Sequence, residues 1–184
     1  MIEEKKALRR ELKEIRNSIP EELRKDYSAK ILLNLDKIDE YRNAERVMLF
    51  ANDGSEVFTD DIFLSCIQNG KSVYYPKVVG EDMVFVKVSD LDELVPAYRG
   101  IREPIAVLTE LDTLSSAVII CPGLGFTKNG ERIGYGGGFY DRFISKHTGL
   151  YRIGLCFEDQ ICDHIPVEEN DFSMNSVVTE ADIY

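Results

Sequence analysis

The stretch Ala117-Val-Ile-Ile-Cys121 is a continuous apolar run, and the glycine-containing turn Pro122-Gly-Leu-Gly-Phe126 follows it directly. An apolar run of this length, without alternating polar residues, is typical of a strand that is buried on both faces. Such strands occur almost only in parallel sheets whose two faces are covered by helices. The stretch therefore predicts the central strand of an α/β domain.

Helical and strand-like segments alternate around this run. Leu8, Leu12, Ile15 and Ile19 repeat at helical spacing and predict a first helix over Glu3–Asn17. A second helix is predicted to begin with a capping box at Ser18-Ile-Pro-Glu21 and to end near Leu35. A third helix is predicted over Asp60–Gln68, with Thr59 as its N-cap. The predicted strands are Arg46–Asn52, Lys71–Val78, Met83–Val88, Arg152–Phe157 and Ser176–Thr179. We expect one domain over residues 1–184, a layered α/β sandwich with a mostly parallel central sheet flanked by helices. The acidic segment Ser89–Leu114 is interpreted as a loop region.

Net charge and the distribution of apolar residues limit which partners and which cellular compartment are expected. The 184 residues carry a net charge of −11, which disfavours nucleic acid or an anionic membrane as the main partner. The apolar runs are shorter than the roughly 18 residues of a membrane span, and no secretory signal is visible at the N-terminus. We expect a cytoplasmic monomer.

Cysteine and histidine usage excludes several kinds of site. The four cysteines show no paired CxxC spacing, which argues against a zinc site or a disulfide framework and favours buried free thiols. Two histidines are too few for a multi-histidine metal centre. No serine lies in a nucleophile-elbow pattern, so a Ser-His-Asp triad is disfavoured.

The segment Arg132-Ile-Gly-Tyr-Gly-Gly-Gly-Phe-Tyr-Asp141 predicts a phosphate-binding site. Its four glycines forgo roughly 0.5–1 kcal/mol each relative to alanine, which indicates a close backbone approach or positive φ angles. A helical pattern begins at Phe139, so free N–H groups and a positive dipole end would face an anion. Arg132 adds a planar guanidinium that suits phosphate. The alternative is a tight structural turn.

Binding a nucleotide in so acidic a protein requires local cations or Mg²⁺. Asp141 would repel bound phosphates unless a cation bridges both groups, and Mg²⁺ is held by one or two carboxylates together with phosphate oxygens. Asp171 is a candidate for the second carboxylate, although a solvated loop acid is the simpler interpretation. Lys128 is either a phosphate ligand or a turn lysine. Glu56 is a candidate for a ligand crevice at the strand ends, or an ordinary loop acid.

The longest motif resembles the signature of the 5-formyltetrahydrofolate cyclo-ligase family, also called methenyltetrahydrofolate synthetases. The matching stretches follow one another along the chain: Lys5-x-x-x-Arg9, Phe50-Ala-Asn-Asp-Gly-Ser-Glu56, Tyr75-Pro-Lys77, Gly100-Ile-x-Glu-Pro104, the whole of Pro122–Asp141, and Gln160-Ile-Cys-x-x-Ile-Pro-Val-x-Glu-Asn-Asp171. The resemblance implies the NagB/RpiA/CoA-transferase-like variant of the layered fold. It also implies ATP- and Mg²⁺-dependent conversion of 5-formyltetrahydrofolate to 5,10-methenyltetrahydrofolate, with release of ADP and phosphate through a phosphorylated formyl intermediate.

The resemblance also implies a set of site residues. Those expected to bind ATP are Lys5, Arg9, Arg132, Ile133, Gly134, Tyr135, Gly136, Gly137, Gly138, Phe139 and Tyr140. Those expected to contact the folate are Ala51, Glu56, Tyr135 and Phe139, and Mg²⁺ is assigned to Asp141 and Asp171. Catalytic roles are assigned to Arg132, Lys128 and Tyr140. For Lys5 and Arg9, an exposed basic helix face is the alternative.

Three residues depart from the family pattern. Thr127 stands where Asp is frequent, Phe139 where Tyr is common, and Gly137 where some members have Lys. None of these departures removes a phosphate or metal ligand. Two other functions stay open at this point: an isomerase or transferase acting on phosphate or CoA esters without ATP, and a nucleotide-binding module without catalytic activity.

Overall fold

The predicted central strand is present in the computed structural model, which describes residues 2–97, 100–106, 116–168 and 170–184. The strands in these ranges are β1 (Arg46–Met48), β2 (Ser72–Val79), β3 (Asp82–Val88), β4 (Leu94–Pro96), β5 (Arg102–Pro104), β6 (Ala117–Pro122), β7 (Gly125–Phe126), β8 (Arg132–Ile133), β9 (Tyr151–Leu155) and β10 (Ser176–Val178). The α-helices are α1 (Ile2–Ser18), α2 (Glu21–Leu35), α3 (Asp39–Asn43), α4 (Asp60–Gln68) and α5 (Phe139–Lys146). Every residue of β6 is buried.

A six-stranded sheet in the order β10-β9-β6-β1-β2-β3 forms the centre of the fold. Its neighbouring strands are parallel except for β3, which pairs antiparallel with β2. Alternate residues of β6 face opposite sides: Val118 and Ile120 pack in the core that includes residues of α2 and α4, whereas Ile119 and Cys121 pack with α5. The predicted α/β fold with a mostly parallel sheet is therefore confirmed.

The strand order places a crevice between β1 and β6. The chain continues from β1 to β2 on one side, and from β6 to β9 on the other. Ligands of open α/β sheets bind at such a switch point, outside the carboxyl ends of the strands. The segment that contains Glu56 follows β1, and the segment that leads to Arg132 follows β6. Both segments therefore meet at the same edge of the sheet.

Helix α1 covers this edge. Leu12 packs with Leu124, Ile133 and Ile165, and the half-buried Leu8 and Ile15 join this small apolar cluster. These contacts confirm the predicted apolar stripe of the first helix. They also bring the basic flank of α1 over the loops that follow β6 and β8.

Several predicted details are wrong. Ser18 ends α1 rather than capping α2, and its hydroxyl donates to the carbonyl of Ile15. Thr59 is the N-cap residue of α4, as predicted, but its hydroxyl donates to the carbonyl of Phe50 instead of accepting an N–H of the helix. The predicted strand over Arg46–Asn52 ends at Met48.

The segment interpreted as a loop, Ser89–Leu114, contains the paired strands β4 and β5, and its last eight residues lie outside the described ranges. The hairpin of β7 and β8, which leads into the glycine segment, was not predicted. In the described part of the chain, no helix combines the length and hydrophobicity that crossing a bilayer requires.

Gly130, in the turn between β7 and β8, makes a close approach that no other residue type can reproduce. Its φ is +90°, and a Cβ at this position would lie 2.3 Å from the carbonyl oxygen of Met174. We expect Gly130→Ala to lower the free energy of unfolding by about 2 kcal/mol or more, since backbone strain and a backbone clash add. Urea denaturation measures this loss. Gly149→Ala is the control, because nothing lies within 4 Å of its Cβ position; equal midpoints for the two variants would contradict the prediction.

Candidate active site

The glycine segment, residues 132–138, links β8 to α5. Gly138 is the N-cap residue of α5 and adopts the left-handed conformation, with a φ of +66°. A Cβ at this position would lie 2.7 Å from the Arg142 Nη1 atom. The predicted helix after the glycines is confirmed, and its free N–H groups face the same edge of the sheet as the segment that follows β1.

Arg132 lies beneath this segment with its side chain only 6% exposed. Its Nη2 donates to Asp141 Oδ2 at 2.8 Å, and its Nη1 donates to the carbonyl of Pro122 at 3.2 Å. The Nε atom is buried and has no hydrogen-bond partner among the residues that the structure describes. A buried guanidinium N–H without a partner carries a desolvation cost, which a ligand oxygen would relieve.

Lys5 and Arg9 of α1 reach the same place. Lys5 is buried, and its Nζ donates to Asp171 Oδ2 at 2.8 Å and lies 3.5 Å from Glu168 Oε2. Arg9 Nε donates to the carbonyl of Gly134 at 2.9 Å. The alternative of an exposed basic helix face therefore does not hold for Lys5, and Arg9 contacts the glycine segment directly.

Asp141 and Asp171 are neighbours, although they are 30 positions apart. The backbone N–H of Phe172, the residue after Asp171, donates to Asp141 Oδ1 at 3.3 Å. Burial opposes ionisation of Asp171, but the ion pair with Lys5 holds the pKa of its carboxyl below the ordinary value. Each carboxylate accepts a hydrogen bond from a cationic side chain, Asp141 from Arg132 and Asp171 from Lys5.

These two carboxylates are oxygen ligands of the kind that Mg²⁺ accepts. Within the described ranges, no group of three or more His, Cys, Asp or Glu side chains could hold a metal by itself. A cation at this point would need further oxygen ligands from phosphates and water, which is the coordination that Mg²⁺ prefers. The residues therefore fit a Mg²⁺ ion that arrives with a nucleotide.

The second half of the crevice contains a buried acid. Glu56 is 7% exposed; Tyr135 donates its hydroxyl to Oε1, and the Asp53 backbone N–H donates to Oε2 at 2.8 Å. Arg16 Nη1 lies 3.6 Å from Oε1 and donates to the Tyr135 hydroxyl. Burial raises the pKa of Glu56, while Tyr135 and Arg16 act in the opposite direction. The interpretation of Glu56 as an ordinary loop acid does not fit this environment.

Tyr140 lies between the two halves. Its ring is 5.7 Å from the Arg132 guanidinium carbon, and its hydroxyl is buried with no partner in the described part of the chain. Burial raises the pKa of this hydroxyl well above its ordinary value, and the nearby Cys121 and Glu56 contribute in the same direction. The hydroxyl is therefore a neutral donor that is available to a ligand.

The other predicted residues occupy mixed positions. Ile133 and Ala51 have buried side chains, so only their backbones could contact a ligand. Phe139 packs partly against the core below α5, under the Arg142 guanidinium. Lys128 is exposed and its Nζ lies 4.6 Å from the ring centroid of Tyr184, so a role at the phosphates stays a prediction.

The remaining glycines and the Thr127 departure are also accounted for. Gly136 passes close to Arg9, since a Cβ at Gly136 would lie 3.6 Å from the Arg9 Cζ atom, while Gly137 is exposed. Thr127 is buried, and its hydroxyl accepts the backbone N–H of Glu131. Thr127 therefore supports the β7–β8 turn.

Arg16 is the functional candidate to which the sequence assigned no role, although its spacing predicts that it lies on the same helix flank as Lys5 and Arg9. Its side chain is 5% exposed and contacts both Tyr135 and Glu56. Its spacing of seven from Arg9 and eleven from Lys5 puts all three on one helix flank. That spacing was a usable signal, but it does not show which acid lies opposite.

Comparisons with known proteins agree with this geometry. Residues 1–180 match the model of the 5-formyltetrahydrofolate cyclo-ligase family. The chain is 31% identical to the mouse 5-formyltetrahydrofolate cyclo-ligase over 96% of its own length and 93% of the mouse protein. It is 30% identical to the Escherichia coli K12 protein of the same name, over 77% of this chain and 81% of that protein.

Solved structures give the same result. The NMR structure of Aquifex aeolicus 5,10-methenyltetrahydrofolate synthetase superposes with a TM-score of 0.84 at 27% identity, covering 97% of this chain and 91% of that one. A Mycoplasma pneumoniae synthetase shares the fold at 20% identity, with a TM-score of 0.74 over 96% of this chain and 98% of its own. The chain therefore belongs to the 5-formyltetrahydrofolate cyclo-ligase family of enzymes.

Proposed function

We propose that this enzyme cyclises 5-formyltetrahydrofolate to 5,10-methenyltetrahydrofolate with ATP and Mg²⁺, releasing ADP and phosphate through a phosphorylated formyl intermediate. Family membership supports the folate reaction. One structural observation supports the rest. Two buried donors, Arg132 Nε and the Tyr140 hydroxyl, have no partner within the described ranges and lie between a phosphate-type cradle and the buried Glu56.

The cradle has the charge that a triphosphate needs. Lys5, Arg9 and Arg132 supply three cations, and the N–H groups at the start of α5 add a positive dipole end. Asp141 and Asp171 would hold a Mg²⁺ ion, which neutralises phosphate charge when bound. Because Lys5 and Arg132 now pair with these carboxylates, both cations would become available to phosphate oxygens as the carboxylates turn to the metal.

The chemistry requires positioning more than a protein nucleophile. The formyl oxygen of an amide-like group is a poor leaving group, so it first attacks the γ-phosphorus of ATP and ADP departs. The neighbouring amine of the folate then attacks the activated formyl carbon and closes the ring, its N–H proton is released to solvent, and phosphate leaves. Arg132 would stabilise charge on the transferred phosphoryl group, and the Tyr140 hydroxyl would orient the reacting oxygen. Lys128 would have to leave the Tyr184 ring to assist.

Folate would lie on the other side of Tyr140. Glu56 would accept N–H donors of the folate ring system, and the backbone near Ala51 would line the same wall. Tyr135 of the glycine segment and Phe139 at the start of α5 would contribute aromatic surface. Phe139 has no hydroxyl, so at this position the chain would offer packing without a hydrogen bond.

We further propose that residues 1–184 form one domain, in a cytoplasmic monomer that needs neither nucleic acid nor a membrane. The ion pair between Lys5 and Asp171 supports the single domain, because it joins residues that are 166 positions apart at one site. Light scattering on the purified protein measures the number of copies. A stable dimer would contradict the monomer.

The direct test of the reaction is product formation. Purified protein should convert 5-formyltetrahydrofolate to a methenyl-folate product, followed by its absorbance, with one ADP formed per product. Omitting ATP, or replacing Mg²⁺ with a chelator, should abolish the signal. Product formation without ATP would contradict the phosphorylated intermediate, and absence of product under all conditions would contradict the proposed reaction.

The basic residues of α1 can be separated from its packing residues. We expect Lys5→Ala to weaken ATP binding at least about tenfold, since a buried charge-assisted contact is worth about 1.5–3 kcal/mol. Leu8→Ala should instead lower the melting temperature, because Leu8 packs in the apolar cluster under α1. Calorimetric titration with Mg-ATP and thermal melts measure the two effects. Unchanged ATP affinity in Lys5→Ala and in Arg9→Ala would leave α1 with a packing role only.

A further inference from the structure

Arg16 is the most buried of the three basic residues on the flank of α1 that faces the crevice. The residue is 4% exposed, compared with 8% for Lys5, and Arg9 is half-buried. Its Nε donates to the Ser55 hydroxyl at 2.9 Å, and its Nη1 donates to the Tyr135 hydroxyl. Burying a guanidinium is costly, so these contacts must compensate for the lost hydration.

The groups around Glu56 come from four parts of the chain. Asp53 lies on the same loop, Arg16 on α1, Tyr135 on the glycine segment and Tyr140 on α5. Asp53 disfavours a charge on Glu56, and Tyr140 is neutral. Arg16 is the cation of the group, and it lies 3.6 Å from Glu56 Oε1. Burial opposes ionisation of this carboxyl, whereas the Tyr135 hydroxyl and the charge of Arg16 both favour it.

We propose that Arg16 is a positioning residue for the cyclo-ligase reaction, holding the Glu56 carboxylate ionised and fixing the glycine segment against it through the Tyr135 hydroxyl. The inference rests on the proposed function, because that function makes Glu56 the acceptor for folate N–H groups. Arg16 itself contacts Glu56 and Tyr135, and it acts on the substrate through them.

The physical argument concerns the acceptor capacity of Glu56. An ionised carboxylate offers two acceptor oxygens, whereas a protonated carboxyl has to donate a proton from one of them. Burial favours the protonated form of Glu56. Without the guanidinium, the Tyr135 hydroxyl and one backbone N–H would be left to stabilise the ionised form. The carboxyl would then take up a proton at a higher pH, and folate N–H groups would lose an acceptor.

Arg16 also links the two substrates. Tyr135 belongs to the glycine segment, and its hydroxyl is held by Glu56 and Arg16 together. The guanidinium carbon lies 5.7 Å from the Tyr135 ring centroid, which adds a cation–π contact. One arginine thus fixes the segment proposed for ATP against the acid proposed for folate.

A purely structural role makes a different prediction. In that case Arg16 would only anchor α1 to the loop after β1, chiefly through Ser55. Ser55→Ala is therefore the matched control, because it removes the hydrogen bond from Arg16 Nε at 2.9 Å but leaves Glu56 and Tyr135 in place. Arg16→Lys keeps the charge and loses the planar fork.

The test is the pH profile of kcat/KM for 5-formyltetrahydrofolate in wild type, Arg16→Gln, Arg16→Lys and Ser55→Ala. A cation favours the ionised carboxylate, so its removal raises the pKa of Glu56, and the acid limb should move to higher pH by about one unit or more in Arg16→Gln. Arg16→Lys keeps the positive charge, so its acid limb should lie close to that of the wild type. At neutral pH the KM for folate should rise about tenfold in Arg16→Gln, while the KM for ATP changes less than about threefold.

A second comparison isolates the path through Glu56. If Arg16 acts through this acid, adding Arg16→Gln to Glu56→Gln should cost far less than Arg16→Gln alone, as expected of residues that act as one unit. An unmoved acid limb in Arg16→Gln, or an equal shift in Ser55→Ala, would overturn the proposal.

Failure of the proposed function is distinguishable from failure of this inference. If the wild-type protein forms no product, this result contradicts the proposed reaction and not the role of Arg16. Calorimetric titration of 5-formyltetrahydrofolate into wild type and Arg16→Gln then tests the positioning role without turnover. Equal affinities in the two proteins across the acid range would refute it.

Discussion

Replacing Arg132 by lysine should lower kcat/KM at least about tenfold, equivalent to roughly 1.4 kcal/mol of transition-state stabilisation. The guanidinium serves Asp141 and the Pro122 carbonyl with its two terminal nitrogens and keeps Nε for a ligand. A lysine ammonium has three donors on one atom and cannot reach three separated acceptors in one plane. Because Arg132→Lys keeps the positive charge, the loss of kcat/KM measures the contribution of the planar guanidinium geometry.

Initial rates of methenyl-folate formation at varied ATP and folate measure this effect. Arg42→Lys is the control, because Arg42 lies on α3 and pairs with Asp39 away from the crevice. A thermal melt should show that Arg132→Lys is folded at the assay temperature. Turnover near that of wild type would remove Arg132 from the phosphate site.

The second large effect concerns Asp141 and Asp171. We expect Asp141→Asn and Asp171→Asn each to raise the Mg²⁺ concentration needed for half-maximal rate, because each removes a charged oxygen ligand beside a triphosphate. The double variant should be little worse than the poorer single variant, since members of one metal site do not act additively. Their proximity, through the Phe172 N–H and Asp141 Oδ1, is consistent with one shared ion.

Rates measured across a Mg²⁺ titration at fixed ATP test this prediction. Asp163→Asn is the control, since Asp163 is an exposed acid in the same part of the chain. Fully additive losses would indicate that the two carboxylates serve separate functions. An unchanged Mg²⁺ requirement in Asp171→Asn would leave Asp141 as the single protein ligand.

The fold could be predicted where the pattern is local and long. The apolar run of β6 and the stripe of α1 repeat over enough residues to determine burial and helical period. The β7–β8 hairpin has only two residues in each strand, and one of its residues is glycine, so no period could be recognised. Ser18 shows a similar limit, because a capping motif and a helix C-terminus can share the same residues.

The candidate site was only partly predictable for a different reason. The matching motifs identify individual site residues, but the tertiary structure determines which other residues these contact. Lys5 and Asp171 are 166 positions apart, and Tyr135 and Glu56 are 79 apart. No local pattern indicates that Arg16 faces Glu56 or that the Lys128 ammonium lies over an aromatic ring.

The contact between Lys5 and Asp171 has a consequence for biosynthesis. Chains emerge from the ribosome N-terminus first, at about 5–20 residues per second, so α1 is available long before its acidic partner exists. The proposed nucleotide site can be completed only after the segment that contains Asp171 has been made. A nascent chain that has not reached Asp171 would therefore lack one side of the site.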